Sequence, residues 1–175
     1  MQTTTVKLYS LEYNNVKTYL AAALFVLGNI IMPQIFHLVP QGGVTWLPIY
    51  FFTLVGAYKY GWRVGLLTAI ASPVVNSLLF GMPMPAALPA ILLKSVLLAL
   101  AAGVTARRSR RINLPLLALV VLTYQVLGTL GEWAMKGDFY LAAQDFRIGV
   151  PGMLLQVFGG YLLIRYLIGN HTKKL

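Results

Sequence analysis

The sequence predicts an all-α integral membrane protein, a bundle of six transmembrane helices with both termini in the cytoplasm, and three observations support this fold class. Of its 175 residues, 58% are hydrophobic and only 10% are charged, which leaves too little polar surface to cover a soluble globule of this size. The apolar residues occur in blocks of roughly 15 to 22, the length with which a helix crosses about 30 Å of hydrocarbon. The basic residues lie on alternate connections between these blocks, as the positive-inside rule requires. We therefore expect one membrane domain over residues 1–175.

The predicted spans cover, in order, residues 16–36, 44–57, 64–80, 86–106, 112–131 and 148–169. The second and third are short enough to be fused into one long helix across residues 58–63. Charge argues against fusion, because six spans with an internal N-terminus place most of the fourteen basic residues on one side. That side receives Lys7, Lys17, Lys59, Arg63, Arg107, Arg108, Arg110, Arg111, Arg165, Lys173 and Lys174. The opposite side receives only Lys136 and Arg147, with three acidic residues, while Lys94 lies inside a span.

Composition and motifs exclude several classes of function. The chain has no cysteine, which rules out disulfides and thiolate metal sites, and it contains no GxxxxGK[ST] loop with which it could itself bind ATP. Neither His37 nor His171 has companions suited to a metal site or to general base catalysis. We expect no metal, no cofactor and no catalytic residues. The net charge of +10 is spread over short connections, so nucleic acid is not an expected partner.

Four polar residues inside the predicted spans are the first candidates for function, because an uncompensated polar group is costly in hydrocarbon. At 1.5 Å per residue, Lys94 and Gln156 lie about 12 Å below the outer ends of their helices, Gln125 about 9 Å and Asn76 about 6 Å. Such similar depths predict a pocket that opens to the outside. The alternative for Asn76, Gln125 and Gln156 is a hydrogen bond to a neighbouring helix.

Lys94 is the most informative of these residues, since a lysine near the bilayer centre costs roughly 2.5 to 3.5 kcal/mol to insert. If it lines the pocket, its ammonium group favours a substrate with an anionic group. Arg147, at the outer mouth, is a candidate for assisting it, although an arginine at the end of a span is usually an interfacial anchor. The alternative for Lys94 is an ion pair with Glu132 or Asp145 from an outer loop.

Small side chains on the first span, Ala21, Ala22, Ala23 and Gly28, allow another helix to approach closely. They serve either packing within the chain or contact with a membrane partner.

Several segments resemble the substrate-binding S components of energy-coupling factor (ECF) transporters. They are residues 47–56 (LPIYFFTLVG), 60–67 (YGWRVGLL), 71–83 (ASPVVNSLLFGMP) and 150–156 (VPGMLLQ). The first two resemble the second and third helices of that family, the next its third helix and third loop, and the last the start of its final helix. The Ala-x-x-x-Ala pattern of the family's first helix is not literal here, because Ala21, Ala22 and Ala23 are followed four residues later by Phe25, Val26 and Leu27.

The resemblance implies a six-helix subunit, multi-pass in the inner membrane of a bacterial or archaeal cell, that takes up a vitamin or related micronutrient. Its outer loops one, three and five would close over the substrate. Its partners would be a transmembrane coupling subunit, contacted through the first helix, and two ATPase subunits, beside the membrane lipid. Such subunits are thought to topple in the membrane to release the substrate. Two other functions remain open on the residues alone, a small membrane-embedded enzyme acting on lipid and a non-catalytic membrane assembly protein.

Overall fold

The computed structural model describes residues 8–167, and this part of the chain is helical without any β-strand. The long helices are α1 (Val16–Phe36), α4 (Trp62–Phe80), α5 (Leu88–Ser109) and α6 (Leu114–Lys136). The shorter helices between and after them are α2 (Gly42–Trp46), α3 (Phe51–Tyr60), α7 (Phe139–Ala142) and α8 (Gln144–Arg147). Residues 150–167 are helical throughout, as α9 (Val150–Leu154) and α10 (Gly160–Leu162), each followed by a π-helical segment, Leu155–Gly159 and Leu163–Leu167.

Within residues 8–167, the helices α1, α4, α5 and α6 are long and apolar enough to cross a membrane. Their outward-facing side chains are largely apolar, and Leu24, Leu78 and Leu119 are 65%, 78% and 57% exposed. Polar side chains such as Asn29 and Gln156 are instead buried between the helices. A bundle with an apolar exterior and polar groups inside is compatible with a membrane protein.

The second predicted span, residues 44–57, is not one continuous helix. Helix α2 ends at Trp46, Leu47 adopts the left-handed conformation with φ of 47°, and a 3₁₀ turn at Pro48–Tyr50 leads into α3. Pro48 has no backbone N–H to continue the α2 hydrogen-bond ladder. Helix α3 has ten residues and therefore a length of about 15 Å. An apolar window does not reveal such a break between two helices.

The other predicted spans agree with helices to within a few residues at their ends. The first coincides with α1, and the third, fourth and fifth fall on α4, α5 and α6. The last begins at residue 150 instead of 148, and its final two residues lie outside the described residues. The predicted cytoplasmic placement of Lys7, Lys173 and Lys174 concerns residues outside that range, and so does the expectation that His171 has no metal or catalytic role.

Helix α3 is short but lies at the centre of the bundle. Eight of its ten residues are buried, and it packs against α1, α4 and α5 and against the helical residues 155–167. Helix α5 packs between α4 and α6, and α1 covers α3 and α4. Gly65 of α4 allows this close packing, because a methyl group there would overlap Ala57 of α3.

The bundle has two chemically different ends. Helix α5 spans the molecule, from Leu88 to Ser109, and the end that holds its start also holds three of the four acidic residues, Glu132, Asp138 and Asp145. We call this the acidic end. The opposite end holds the start of α4 and the last turn of α5, with Arg63, Arg107 and Arg110, and we call it the arginine end.

An N-terminal segment, residues 8–12, lies against the arginine end. The backbone N–H of Tyr9 donates to the carbonyl of Lys59 at 2.8 Å, and that of Leu11 donates to the carbonyl of Tyr60 at 3.1 Å. The Tyr9 ring stacks on Tyr60 with 5.7 Å between ring centroids. These contacts attach the chain before α1 to the corner between α3 and α4.

Candidate binding site

A cavity of about 530 Å³ opens at the acidic end of the bundle. One wall is formed by the end of α1, the connection that follows it, α2 and the 3₁₀ turn. The opposite wall is formed by residues 82–84, the first turns of α5, the end of α6 and α8. The lining is mostly apolar, from side chains such as Val44, Ile49, Met84 and Ile91. A cavity of this size is adequate for a small organic molecule.

One wall of the cavity carries four charged side chains in direct contact, which we call the Lys94 cluster: Lys94, Glu132, Lys136 and Asp145. The Lys94 ammonium lies 2.6 Å from Glu132 Oε2 and 2.9 Å from Asp145 Oδ2. The second carboxylate oxygen of Glu132 accepts from Lys136 Nζ at 2.6 Å. Two cations therefore face two carboxylates. Lys94, Glu132 and Asp145 are buried, whereas the Lys136 side chain is 34% exposed at the rim.

The sequence places the members of this cluster on different elements, and glycine makes room for them. Helices α5 and α6 pack closely at Gly128, where an added Cβ would lie 2.5 Å from Lys94 Cγ. Glu132 follows Gly128 by one helical turn, so it faces the same lysine. Asp145 arrives from α8, after Asp138 caps α7 by accepting from the Leu141 N–H at 3.0 Å. The alternative for Lys94, an ion pair with Glu132 or Asp145, is thus the arrangement present, and both carboxylates take part in it.

Asn76 lies in a different polar network, between α1 and α4. Its amide nitrogen donates to the carbonyl of Asn29 at 2.9 Å, and the Asn29 side chain donates to Thr53 at 3.0 Å and to Ser72 at 3.2 Å. Asn29 also accepts from the Phe52 N–H at 3.0 Å. This buried network joins α1, α3 and α4 and does not line the cavity. Asn76 therefore makes a hydrogen bond to a neighbouring helix, which was the alternative interpretation for this residue.

Gln125 and Gln156 are brought together, but beneath the cavity. Tyr124 OH donates to Gln156 Oε1 at 2.9 Å and accepts from Gln125 Nε2 at 3.1 Å. The Tyr124 ring packs on Tyr50, a residue of the cavity wall, with 5.5 Å between centroids. Neither glutamine lines the cavity itself. Gln125 Oε1 and Gln156 Nε2 are buried without a hydrogen-bond partner among the described residues.

Arg147 is at the acidic end but does not line the cavity. Its guanidinium lies over the Tyr140 ring, 3.6 Å from the centroid, and donates to the Tyr140 hydroxyl. Both residues are exposed. This geometry agrees with the interfacial anchor that was the alternative interpretation for Arg147.

The small residues of α1 face different directions. Ala22 is buried within the bundle, Ala21 is half-buried and Ala23 is exposed. Gly28 faces the bundle, where an added Cβ would come within 2.7 Å of the Phe52 ring. Among these four, Ala23 is thus the one fully open to a partner, beside the exposed Leu20, Leu24 and Leu27.

Sequence reasoning missed two kinds of residue. Asn29 lies in the middle of an apolar helix, and the criterion of polar residues at depth would have found it. Tyr50 and Tyr124 gave no signal, because buried tyrosines have the same pattern as other apolar residues. Glu132 and Asp145 were recognised only as alternative partners of Lys94, although they are part of the cavity wall.

The comparisons with known proteins add no relative. The chain matches no protein-family model, no curated protein and no solved structure. Within residues 8–167, no three His, Cys, Asp or Glu side chains are grouped so that they could hold a metal ion. The cavity and its charged wall are therefore the features from which a function is argued.

Proposed function

We propose that this chain is a substrate-binding membrane subunit of an ECF-type ABC transporter, and that it takes up a small vitamin-like molecule through the cavity at the acidic end. The observation that carries the proposal is the cavity itself. It combines a mostly apolar lining with four charged side chains on one wall. Binding sites for small molecules commonly pair an apolar surface with a few polar groups that orient the ligand.

The proposed topology has six crossings. They are α1, the broken segment from α2 to α3, α4, α5, α6 and the helical residues 150–167. The positive-inside rule then puts the arginine end and both termini in the cytoplasm, and the cavity opens to the outside. The membrane would be the inner membrane of a bacterial or archaeal cell, and the chain would work with a transmembrane coupling subunit and two ATPase subunits.

The substrate is proposed to carry an anionic group. Lys94 already contacts two carboxylates, so the anionic group would have to replace one of them. Asp145 is the more easily displaced, because it belongs to a helix of four residues outside the bundle, whereas Glu132 is fixed on α6. We expect a substrate carboxylate to take the place of Asp145 on Lys94 while its apolar body occupies the rest of the cavity.

The cavity can be tested without disturbing a charge. Ala87 lines it, whereas the neighbouring Ala86 is exposed and does not. Mass spectrometry of the purified protein should find a co-purifying small anionic molecule, which the Ala87→Trp variant loses and the Ala86→Trp control retains. Equal retention by both variants would show that the molecule binds elsewhere.

The proposed orientation can be tested by thiol labelling, because the sequence has no cysteine and an introduced one is unique. Met84→Cys, in the connection before α5, should react with a membrane-impermeant maleimide on intact cells. Arg108→Cys, in the last turn of α5, should react only after the cells are permeabilised. Labelling of Arg108→Cys in intact cells would rule out the six-span topology.

A further inference from the structure

A second cavity, of about 620 Å³, lies at the arginine end. It is bounded by the N-terminal segment, by the corner between α3 and α4, and by the last two turns of α5. Arg63, Arg107 and Arg110 line it, together with Glu12. The first cavity touches the opposite end of the same helix, at Lys94, so the two cavities are separate sites.

The charges in this second cavity are not balanced. Glu12 is its only acidic lining residue, and its carboxylate lies 3.8 Å from the Arg63 guanidinium. Among residues 8–167, no carboxylate pairs with Arg107 or Arg110. The remaining acidic residues of the sequence are Glu132, Asp138 and Asp145, all at the acidic end. Two guanidinium groups in one cavity thus lack a counter-charge from the described chain.

Three arginines that line one cavity favour an oxyanion as the ligand, because each guanidinium group offers several N–H donors. The Arg63 guanidinium lies beside the rings of Trp62 and Tyr13, at 5.1 Å and 5.7 Å from their centroids. Arg110 ends α5 with φ of 51°, a conformation uncommon for a residue with a side chain. Guanidinium groups bind the oxygens of a phosphate in a two-pronged manner.

The surroundings of the cavity favour one source of phosphate, a membrane lipid. Leu100 and Val104 lie on the face of α5 that leads to Arg107, at spacings of four and three residues, and are 39% and 54% exposed. An acyl chain lying along these two side chains would bring its phosphate to the arginine. Trp62 and Tyr13, packed edge to face with 6.2 Å between centroids, are residue types enriched at the boundary between lipid and water.

We infer that the cavity of Arg63, Arg107 and Arg110 binds the phosphate headgroup of an anionic phospholipid. Basic pockets at the ends of membrane helices bind such headgroups through the same combination of charge and apolar contact. This inference concerns the arginine end alone, and the transport function proposed above can fail without affecting it.

The test uses the purified full chain in detergent and native mass spectrometry with added phosphatidylglycerol, phosphatidylcholine or inorganic phosphate. The wild-type protein should retain phosphatidylglycerol in preference to phosphatidylcholine. Arg107→Gln with Arg110→Gln should weaken phosphatidylglycerol binding by about 30-fold, at roughly 1 kcal/mol for each arginine. The matched control is Arg108→Gln with Arg111→Gln, which removes the same charge from the same segment but outside the cavity, and it should bind like the wild type.

Three results would overturn the inference. Equal retention of the two lipids by the wild type would show that headgroup charge does not matter. Competition by inorganic phosphate at the concentration of the lipid would identify a free anion as the ligand. Equal losses in the two double variants would assign binding to the overall positive charge of the segment.

A second double variant keeps the test decisive if the glutamine variant does not fold. Arg107→Lys with Arg110→Lys keeps the charge, and it should bind several-fold more weakly than the wild type because lysine lacks the two-pronged geometry.

Discussion

Both ends of the bundle place charged side chains around a cavity, but the two ends differ in how far these charges are buried and paired. At the acidic end, the Lys94 side chain is 4% exposed and its ammonium group contacts two carboxylates. At the arginine end, Arg107 and Arg110 are exposed and have no carboxylate partner among the described residues. An unpaired buried charge costs several kcal/mol, whereas an exposed one costs little. The comparison teaches that the buried charges must be satisfied within the chain, while the exposed arginines remain available to a ligand.

The largest expected effect is that of removing the ammonium from the acidic end. Lys94→Met leaves Glu132 and Asp145 buried without their shared cation, so the free energy of unfolding should fall by roughly 3 to 5 kcal/mol. Equilibrium unfolding in detergent, followed by circular dichroism, measures this. The control is Lys136→Met, which removes a rim cation and should cost about 1 kcal/mol or less. Equal losses would mean that burial does not distinguish the two lysines.

A rescue experiment separates charge balance from side-chain shape. When Glu132→Gln and Asp145→Asn are added to Lys94→Met, the three buried members of the Lys94 cluster all become uncharged. Replacement of a whole buried ionic group is far less costly than removal of one member. The triple variant should therefore recover at least about 2 kcal/mol of the stability that Lys94→Met loses. If the triple variant were no more stable than Lys94→Met, the loss of stability could not be attributed to unpaired buried carboxylates.

An intermediate effect is expected between the two ends, where the buried network is polar but uncharged. Asn29→Ala removes the donor to Thr53 and Ser72 and leaves the Phe52 N–H without its acceptor. The expected loss in the free energy of unfolding is about 1 to 3 kcal/mol. The exposed Asn14 offers the control, and Asn14→Ala should change stability by less than about 0.5 kcal/mol. A loss as large as that of Lys94→Met would show that charge adds nothing to the cost of burial.

The smallest effect is expected at the arginine end. Arg107→Gln removes an exposed cation that no described carboxylate contacts, so stability in a detergent free of anionic lipid should change by less than about 0.5 kcal/mol. Equilibrium unfolding in detergent again measures the change, and Arg108→Gln is the matched control. A loss above about 2 kcal/mol for Arg107 alone would indicate a structural role and would end the contrast between the two ends.

The sequence predicted the long helices well, because their signal is local. The first predicted span coincides with α1, and Asn15 at its start accepts from the Lys17 N–H at 2.9 Å, as an N-cap does. The break at Leu47 was not predicted, since hydropathy does not distinguish a leucine in the left-handed conformation from one inside a helix. Hydropathy records how apolar a segment is, and it does not record which way the backbone turns.

The candidate site was predicted only in part, for a geometrical reason. Depth along a helix can be calculated from residue number at 1.5 Å per residue, and this calculation placed Asn76, Gln125 and Gln156 near one level. The direction in which each side chain points around its helix axis is set by packing instead. Asn76 faces α1, whereas the two glutamines meet at Tyr124. Similar depth therefore did not bring them into one pocket with Lys94.

The attachment of the N-terminal segment has a mechanical consequence. The backbone bonds from Tyr9 and Leu11 to the end of α3 lie upstream of α1 in the chain. A force applied at the N-terminal side of Tyr9 would therefore act on α3, the central helix, before it acts on α1. Extraction by force spectroscopy from this side should therefore open the contacts at the corner between α3 and α4 before α1 unwinds.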